Sequence, residues 1–137
     1  MRRLNAFVVT RTDEQLPEVV RSSFDRGMIY PYPHIFIYRE DDEYQFMKLR
    51  PLASRCANIR DSRLNNIGVG IVLYGEGEVI DEKLRTLIAT IIRNIVDDLG
   101  IETFEVVSDE TSKQGFVDVF GIREKAENIP SMFSRRA

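Results

Sequence analysis

The chain has one histidine, His34, and one cysteine, Cys56, and these two side chains bound the metal and thiol chemistry open to it. A catalytic zinc takes three protein ligands, drawn mostly from His, Cys and carboxylates, and keeps a fourth position open for water. His34 and Cys56 stand on different elements, and no carboxylate lies at a motif spacing around either. The residues by themselves therefore build no zinc site. His34 opens a strand directly after Pro33 and reads as a structural imidazole bonded to backbone. Cys56 then has no base to activate it and reads as an inert, buried thiol.

Other chemistry-bearing patterns are weaker. Gly68-x-Gly70 and Gly75-x-Gly77 sit inside or just after a strand, without the Lys-Ser/Thr ending or the strand–helix setting of a nucleotide loop. Their expected purpose is close approach of a neighbouring element and a turn. The acidic run Glu40, Asp41, Asp42, Glu43 lacks the Asp-x-Asp-x-Asp-Gly pattern of a calcium loop and reads as a solvated hairpin tip. Arg135 and Arg136 are too short a basic run to be more than part of a tail that begins near residue 129.

The elements that would position these residues follow from periodicity. Residues 4–9 form a buried strand. Leu16, Val19, Val20 and Phe24 fall at helical spacing, with Pro17 in the first turn and Gly27 as the stop. Tyr30-Pro31-Tyr32-Pro33 is irregular, because each proline removes a donor and restricts its predecessor. Residues 34–38 and 43–48 make a hairpin, 51–65 is polar and irregular, and 67–74 is a nearly continuous apolar strand covered on both faces. The apolar positions Leu84, Leu87, Ile88, Ile91, Ile92, Ile95, Val96 and Leu99 define a helix over 82–99, capped by Asp81 and Gly100. Residues 103–107 are a strand, 108–115 a polar loop, 117–120 an apolar patch and 122–128 a last short helix. The alternation predicts an α/β fold, a mixed central β-sheet flanked by helices.

Composition sets the outer limits. The chain of 137 residues is 43% hydrophobic and 30% charged, and it shows no linker or repeat, so a single domain over 1–137 is expected. A chain of this size buries roughly 70% of its unfolded surface without disulfides. The formal net charge of −3 argues against a nucleic-acid binder. The first apolar run is shorter than a secretory signal requires, and none approaches a membrane span. The expectation is a protein that is cytoplasmic as synthesised and has no membrane partner, delivery by phage or other machinery being the route outward.

The order of segments resembles the zinc-dependent N-acetylmuramoyl-L-alanine amidases, the family shared by phage lysozyme-like amidases and peptidoglycan recognition proteins. The opening Leu4-Asn5-Ala6-Phe7-Val8-Val9 is similar to the family's first strand, which ends in a Val-His zinc-ligand motif. Pro33-His34-Ile35-Phe36-Ile37 resembles its Tyr-His-Phe-x-Ile strand. Cys56-Ala57 with Asn66-Ile67-Gly68-Val69 resembles its His-Ala…Ser-Ile-Gly-Ile segment. The run from Val107 to Asp118 resembles the closing segment, His-x-Asp…Lys-x-Cys-Pro-x-Phe-Asp. The resemblance covers about residues 1–120 and implies an amidase-like fold.

The same comparison implies lost chemistry. Thr10 occupies the first zinc-ligand position, Ser108 the second, and Gln114 or Gly115 the third. Pro33 stands where the family has its tyrosine, and His34 matches a histidine that is not a ligand. Lys113 is the one catalytic-site residue of the family that is kept. Hydroxyls are poor zinc ligands at neutral pH, so no cofactor is expected, zinc having been lost, and no catalytic residue beyond Lys113 is a candidate. The resemblance then implies an inactive scaffold that binds peptidoglycan fragments (muropeptide) in the former active-site cleft, lined by Thr10, Arg11, Thr12, Tyr32, His34, Ser108, Lys113 and Gln114. The alternatives are a protein-interaction or regulatory module with Tyr30, Tyr32 and Tyr44 as anchors, and an amidase with a rebuilt metal site.

Overall fold

The computed structural model describes residues 3–57, 61–75, 81–108 and 119–129. Its elements run β1 (Ala6–Thr12), α1 (Leu16–Asp25), β2 (Ile35–Glu40), β3 (Glu43–Lys48), α2 (Ser62–Ile67), β4 (Gly68–Tyr74), α3 (Glu82–Leu99), β5 (Glu105–Val107) and α4 (Val119–Asn128). Among the described residues the sheet has five strands in the order β3-β2-β4-β1-β5. β1 pairs in parallel with β4 and β5, β2 pairs in parallel with β4, and β3 returns antiparallel on β2. This is the mixed, helix-flanked α/β sheet that the pattern predicts.

The strand pleat divides the side chains between two faces. Phe7, Val9, Ile35, Ile37, Val69, Ile71 and Leu73 meet Leu84, Ile88, Ile92 and Val96 of α3 and Ile122 and Ala126 of α4 in one large core. On the opposite face Phe36 and Val72 meet Val19 of α1, edged by the half-buried Leu16, Tyr32, Tyr38 and Tyr74. The helix α3 has the caps its sequence calls for. The Asp81 carboxylate accepts from Leu84 N, and Gly100 takes the left-handed conformation at φ 66°.

Three boundaries differ most from the sequence reading. β1 continues through Thr10, Arg11 and Thr12, all buried, because pairing with β4 up to Tyr74 supplies their backbone bonds. The stretch 51–65 is not wholly irregular. Asp61 accepts from the amides of Arg63 and Leu64 and starts α2, a six-residue helix with one buried side chain, Asn65. The last helix begins at Val119, three residues early.

Gly68 is where α2 turns into β4, and it has no room for a side chain. A Cβ there would lie 2.4 Å from the Leu64 carbonyl oxygen and 2.9 Å from Val8 Cγ2. The close approach expected for this glycine is thus real. At the hairpin tip Asp41 and Asp42 both have positive φ, 51° and 64°. That is the signature of a two-residue type I′ turn, whose twist matches its flanking strands. Among the described residues no helix is long and apolar enough to cross a membrane.

Candidate functional site

β1 leads into α1 on one face of the sheet, and β4 is followed by α3 on the other. The carboxyl ends of these neighbouring strands are level, Thr12 beside Tyr74. In open α/β sheets a ligand binds outside the carboxyl ends where adjacent strands send their connections to opposite faces. That rim is the candidate site. The Gly75 amide donates to the Thr12 carbonyl (2.9 Å) and ties its two sides together.

Thr12 and Tyr32 meet there. Their hydroxyls are hydrogen-bonded, and burial pushes the Tyr32 phenol above its ordinary pKa despite that bond. Thr12 Oγ1 also accepts from the Glu14 amide (3.0 Å). Tyr32 is held from behind as well: its amide donates to Ser23 Oγ (3.0 Å), and the Arg26 guanidinium lies 6.0 Å from its ring centre. Arg50 donates to the Pro31 carbonyl (3.1 Å) and to Ser54 Oγ (2.9 Å). The irregular proline segment is therefore fixed by side chains where its prolines deny it a ladder.

The other expected lining residues do not all join this pair. Thr10 lies on the same face as Thr12 and is buried like it, 7% against 5% exposed, two residues further from the end of β1. Ser108 is half-buried and follows β5 directly, about level with Val9 and Thr10 of the neighbouring β1. Arg11, in register with Leu73, belongs to the opposite face, where its guanidinium donates to the Gly75 carbonyl (3.3 Å). His34 is 1% exposed. Its Nδ1 accepts from the Gly70 amide (2.9 Å) and its Nε2 donates to the Ser54 carbonyl (2.6 Å). Both nitrogens are engaged with backbone, Nδ1 with Gly70 in β4 and Nε2 with Ser54 in the loop after β3, the arrangement of the structural imidazole that the residue's setting predicts. Lys113, Gln114 and Gly115 lie outside the described residues, and with them the expected convergence on Thr10 and Ser108.

A groove of about 400 Å³ borders the rim, between Gln15, Leu16 and Pro17 at the start of α1 and a floor of Phe36, Tyr38, Met47 and Tyr74. Its aromatics pack on one another, Phe36 to Tyr38 at 6.2 Å and Phe36 to Tyr74 at 6.4 Å between ring centres. None of Thr10, Arg11, Thr12, Tyr32, His34 or Ser108 lines it. The sequence carried a signal for this groove that the motif comparison passed over. Phe36 and Tyr38 alternate on one strand and Tyr74 ends another, so the pleat gathers all three on one face. Tyr44 also differs from the exposed anchor expected: it packs against the main core and donates to Asp81 Oδ2 (3.2 Å).

Zinc, which the amidase resemblance implies, can be tested against these donors. The rim offers the hydroxyls of Thr10, Thr12 and Ser108, which bind zinc poorly at neutral pH. Cys56 is fully buried, its thiol among the Asn65 side chain and backbone oxygens of Asn65 and Gly68 at 3.5–3.8 Å. Among the described residues no three His, Cys, Asp or Glu side chains cluster to hold a metal. The described donor set does not fit the ion.

Strand order, helix placement and the carboxyl-end rim together define an amidase-like α/β fold. Among solved structures the chain is similar to the N-acetylmuramoyl-L-alanine amidase LysC from Clostridium intestinale URNW, with a TM-score of 0.73 and 15% identity over 92% of this chain and 87% of that one. It is equally similar to the endolysine N-acetylmuramoyl-L-alanine amidase LysCS from the same organism, with a TM-score of 0.73 and 15% identity over 92% of this chain and 85% of that one. No family model and no curated protein matches the sequence.

Proposed function

We propose that the protein is a zinc-free member of the amidase-like fold that binds peptidoglycan fragments, of the muropeptide class, at the carboxyl-end rim of its sheet. The observation that carries this reading is the rim itself: a fold otherwise seen in N-acetylmuramoyl-L-alanine amidases has hydroxyls, Thr10, Thr12 and Ser108, where the resemblance calls for metal ligands or their neighbours. Thr12 and Tyr32 supply hydrogen-bonding groups for amides and sugar hydroxyls, and the groove of Phe36, Tyr38 and Tyr74 supplies apolar contact area beside them. Lys113 and Gln114 are kept as proposed lining residues on the family resemblance alone. The protein acts without turnover, because acid–base help from Lys113 contributes at most about 10⁴-fold, short of the 10⁶-fold or more that enzymes supply. It is cytoplasmic as synthesised and reaches cell wall through other machinery.

Titration of the labelled protein with muramyl dipeptide and with a disaccharide muropeptide tests this by NMR. Saturable shifts at Thr12, Tyr32, Tyr38 and Tyr74, no zinc after metal analysis and no clearing of a peptidoglycan suspension are the expected results. Stoichiometric zinc with EDTA-sensitive clearing overturns the inactive reading in favour of an amidase. Shifts absent at saturating muropeptide overturn the ligand class.

A further inference from the structure

Ser23 of α1 is fully buried and holds both ends of the loop that follows the helix. Its carbonyl accepts from the Met28 amide (3.0 Å). Its hydroxyl accepts from the Tyr32 amide (3.0 Å) while donating to the Val19 carbonyl (2.8 Å). The Met28 bond, the Gly27 amide on the Phe24 carbonyl (2.9 Å) and the φ of 83° at Gly27 make a Schellman end to the helix. The chain therefore leaves Ser23 and returns to it, with Ile29 and Tyr30 at the apex between.

That apex is apolar and stands in water. Ile29 is 85% exposed and Tyr30 40%, and Phe24, on the helical turn where the loop starts, is 52% exposed. Scattered apolar residues on a surface are ordinary, but neighbouring ones held out by a braced loop mark an interaction surface. The charge around them says of which kind. Segments 21–33 and 48–57 are tied together by Arg50, which donates to the Pro31 carbonyl (3.1 Å), and by the Ala57 amide on the Tyr32 carbonyl (3.1 Å). They carry five cations, Arg21, Arg26, Lys48, Arg50 and Arg55, against one anion, Asp25, in a chain whose net charge is −3. Arg21 stands one turn before Phe24 on α1, and the Arg50 guanidinium lies 5.7 Å from the Tyr30 ring centre.

We propose that this loop docks the protein on the surface of a bilayer rich in anionic phospholipid. Ile29 and Phe24 enter the acyl boundary, Tyr30 sits at headgroup level, and the surrounding cations face lipid phosphates. A protruding apolar side chain needs depth rather than a shaped pocket, which a bilayer gives, and anionic headgroups complement the charge beside it. Tyrosine with its polar tip and arginine with its apolar stem both suit that boundary. The expectation of no membrane partner rested on the lengths of apolar runs, which bear on spanning and not on docking at a surface. The inference does not depend on muropeptide binding at the rim.

Flotation of the full chain with phosphatidylglycerol vesicles, and separately with phosphatidylcholine vesicles, tests the docking. Binding to the anionic vesicles alone is expected, and it falls as salt is raised. Ile29→Glu is expected to weaken it at least about tenfold and Arg21→Gln about fivefold. Both side chains are exposed, so circular dichroism should not change. The chain has no tryptophan, and Ile29→Trp therefore supplies a single reporter. Its emission is expected to shift to the blue on anionic vesicles and to be quenched by brominated acyl chains. Absence of binding to either vesicle overturns the proposal, as does equal binding to both or binding indifferent to Ile29→Glu. A blue shift that grows with protein concentration in the absence of vesicles also overturns it, because the loop would then be a contact between copies of the chain.

Discussion

The two faces of the sheet are made from the same strands and carry different loads. Among the described residues the α3–α4 face joins eighteen buried residues in one cluster, whereas the α1 face has three, Val19, Phe36 and Val72, ringed by half-buried leucine and tyrosine side chains. Burial of apolar area is the main source of stability, at roughly 25 cal/mol per Å². The deep face therefore holds the fold, and the thin face is free to carry hydroxyls and aromatic edges at its rim. The groove, the Thr12–Tyr32 pair and the proposed binding rim all lie on the thin side or at its end.

The sharpest way to break this contrast is a matched pair of truncations. Ile88, fully buried under the sheet on the deep face, is expected to cost about 2–5 kcal/mol as Ile88→Ala. Val19, equally buried on the thin face, loses one carbon fewer and is expected to cost about 2 kcal/mol as Val19→Ala. Urea unfolding of both variants measures the pair. Equal losses would mean that the thin face is as structural as the deep one.

Gly68 probes the seam between them, since its Cβ would strike both the Leu64 carbonyl of α2 and the Val8 side chain of β1. Backbone cannot move aside as a side-chain tip can, so Gly68→Ala is expected to cost about 1–3 kcal/mol. A loss below about 0.5 kcal/mol, the level of an ordinary surface change, would show that α2 slides to accommodate it.

Much of the deep face was legible in the sequence, and much of the thin face was not. Helix α3 could be placed end to end because its apolar period runs for five turns and both caps are the residue types their geometry needs, Asp81 and Gly100. The hairpin was legible because two acidic residues separate two strand-like runs. The rim was read less well because its residues do two things at once. Thr10, Arg11 and Thr12 look like the start of a loop by polarity, yet they are strand, and their sidedness depends on register with β4, which no local pattern states. Helix α2 has six residues and one buried side chain, so it has no period to detect. His34 matched a family position, but its neighbours Gly70 and Ser54 come from segments 36 and 20 residues away.

On the thin face itself, Tyr32→Phe removes the hydroxyl shared with Thr12 and is expected to cost about 1 kcal/mol at neutral pH. The same change alters the alkaline limb. The folded pKa of Tyr32 is raised, first by burial, so its contribution is fully present below the unfolded value of about 10 and is lost as pH rises through the folded value. The wild-type stability curve is expected to fall more steeply above pH ~10 than that of Tyr32→Phe. Identical alkaline limbs would place the phenol in water, and the pair would no longer distinguish this face.

The smallest effect belongs to the deep face and has the opposite sign in pH. Asp81 begins α3, and its carboxylate is held below the usual range first by the Leu84 amide, which outweighs an opposing desolvation, and then by the Tyr44 hydroxyl and the nearby Arg39 and Lys83 charges. A depressed folded pKa means stability that is present above the unfolded carboxylate value of about 3.9 and lost as pH falls through the folded one. Asparagine caps a helix as well as aspartate does but does not titrate, so Asp81→Asn is expected to keep the α3 cap at neutral pH and to flatten the acid limb below pH ~4. Glu82, lowered by Lys125 and Arg85, titrates over the same window, so the comparison is read against Glu82→Gln and against the double variant. Thermal melts between neutral and acid pH separate them: the two single changes should each remove part of the acid dependence, and the double variant more than either. An acid limb unchanged by Asp81→Asn would mean that the cap bond to Leu84 is not favoured in solution, and that the deep face holds α3 through its apolar stripe without help from its first turn.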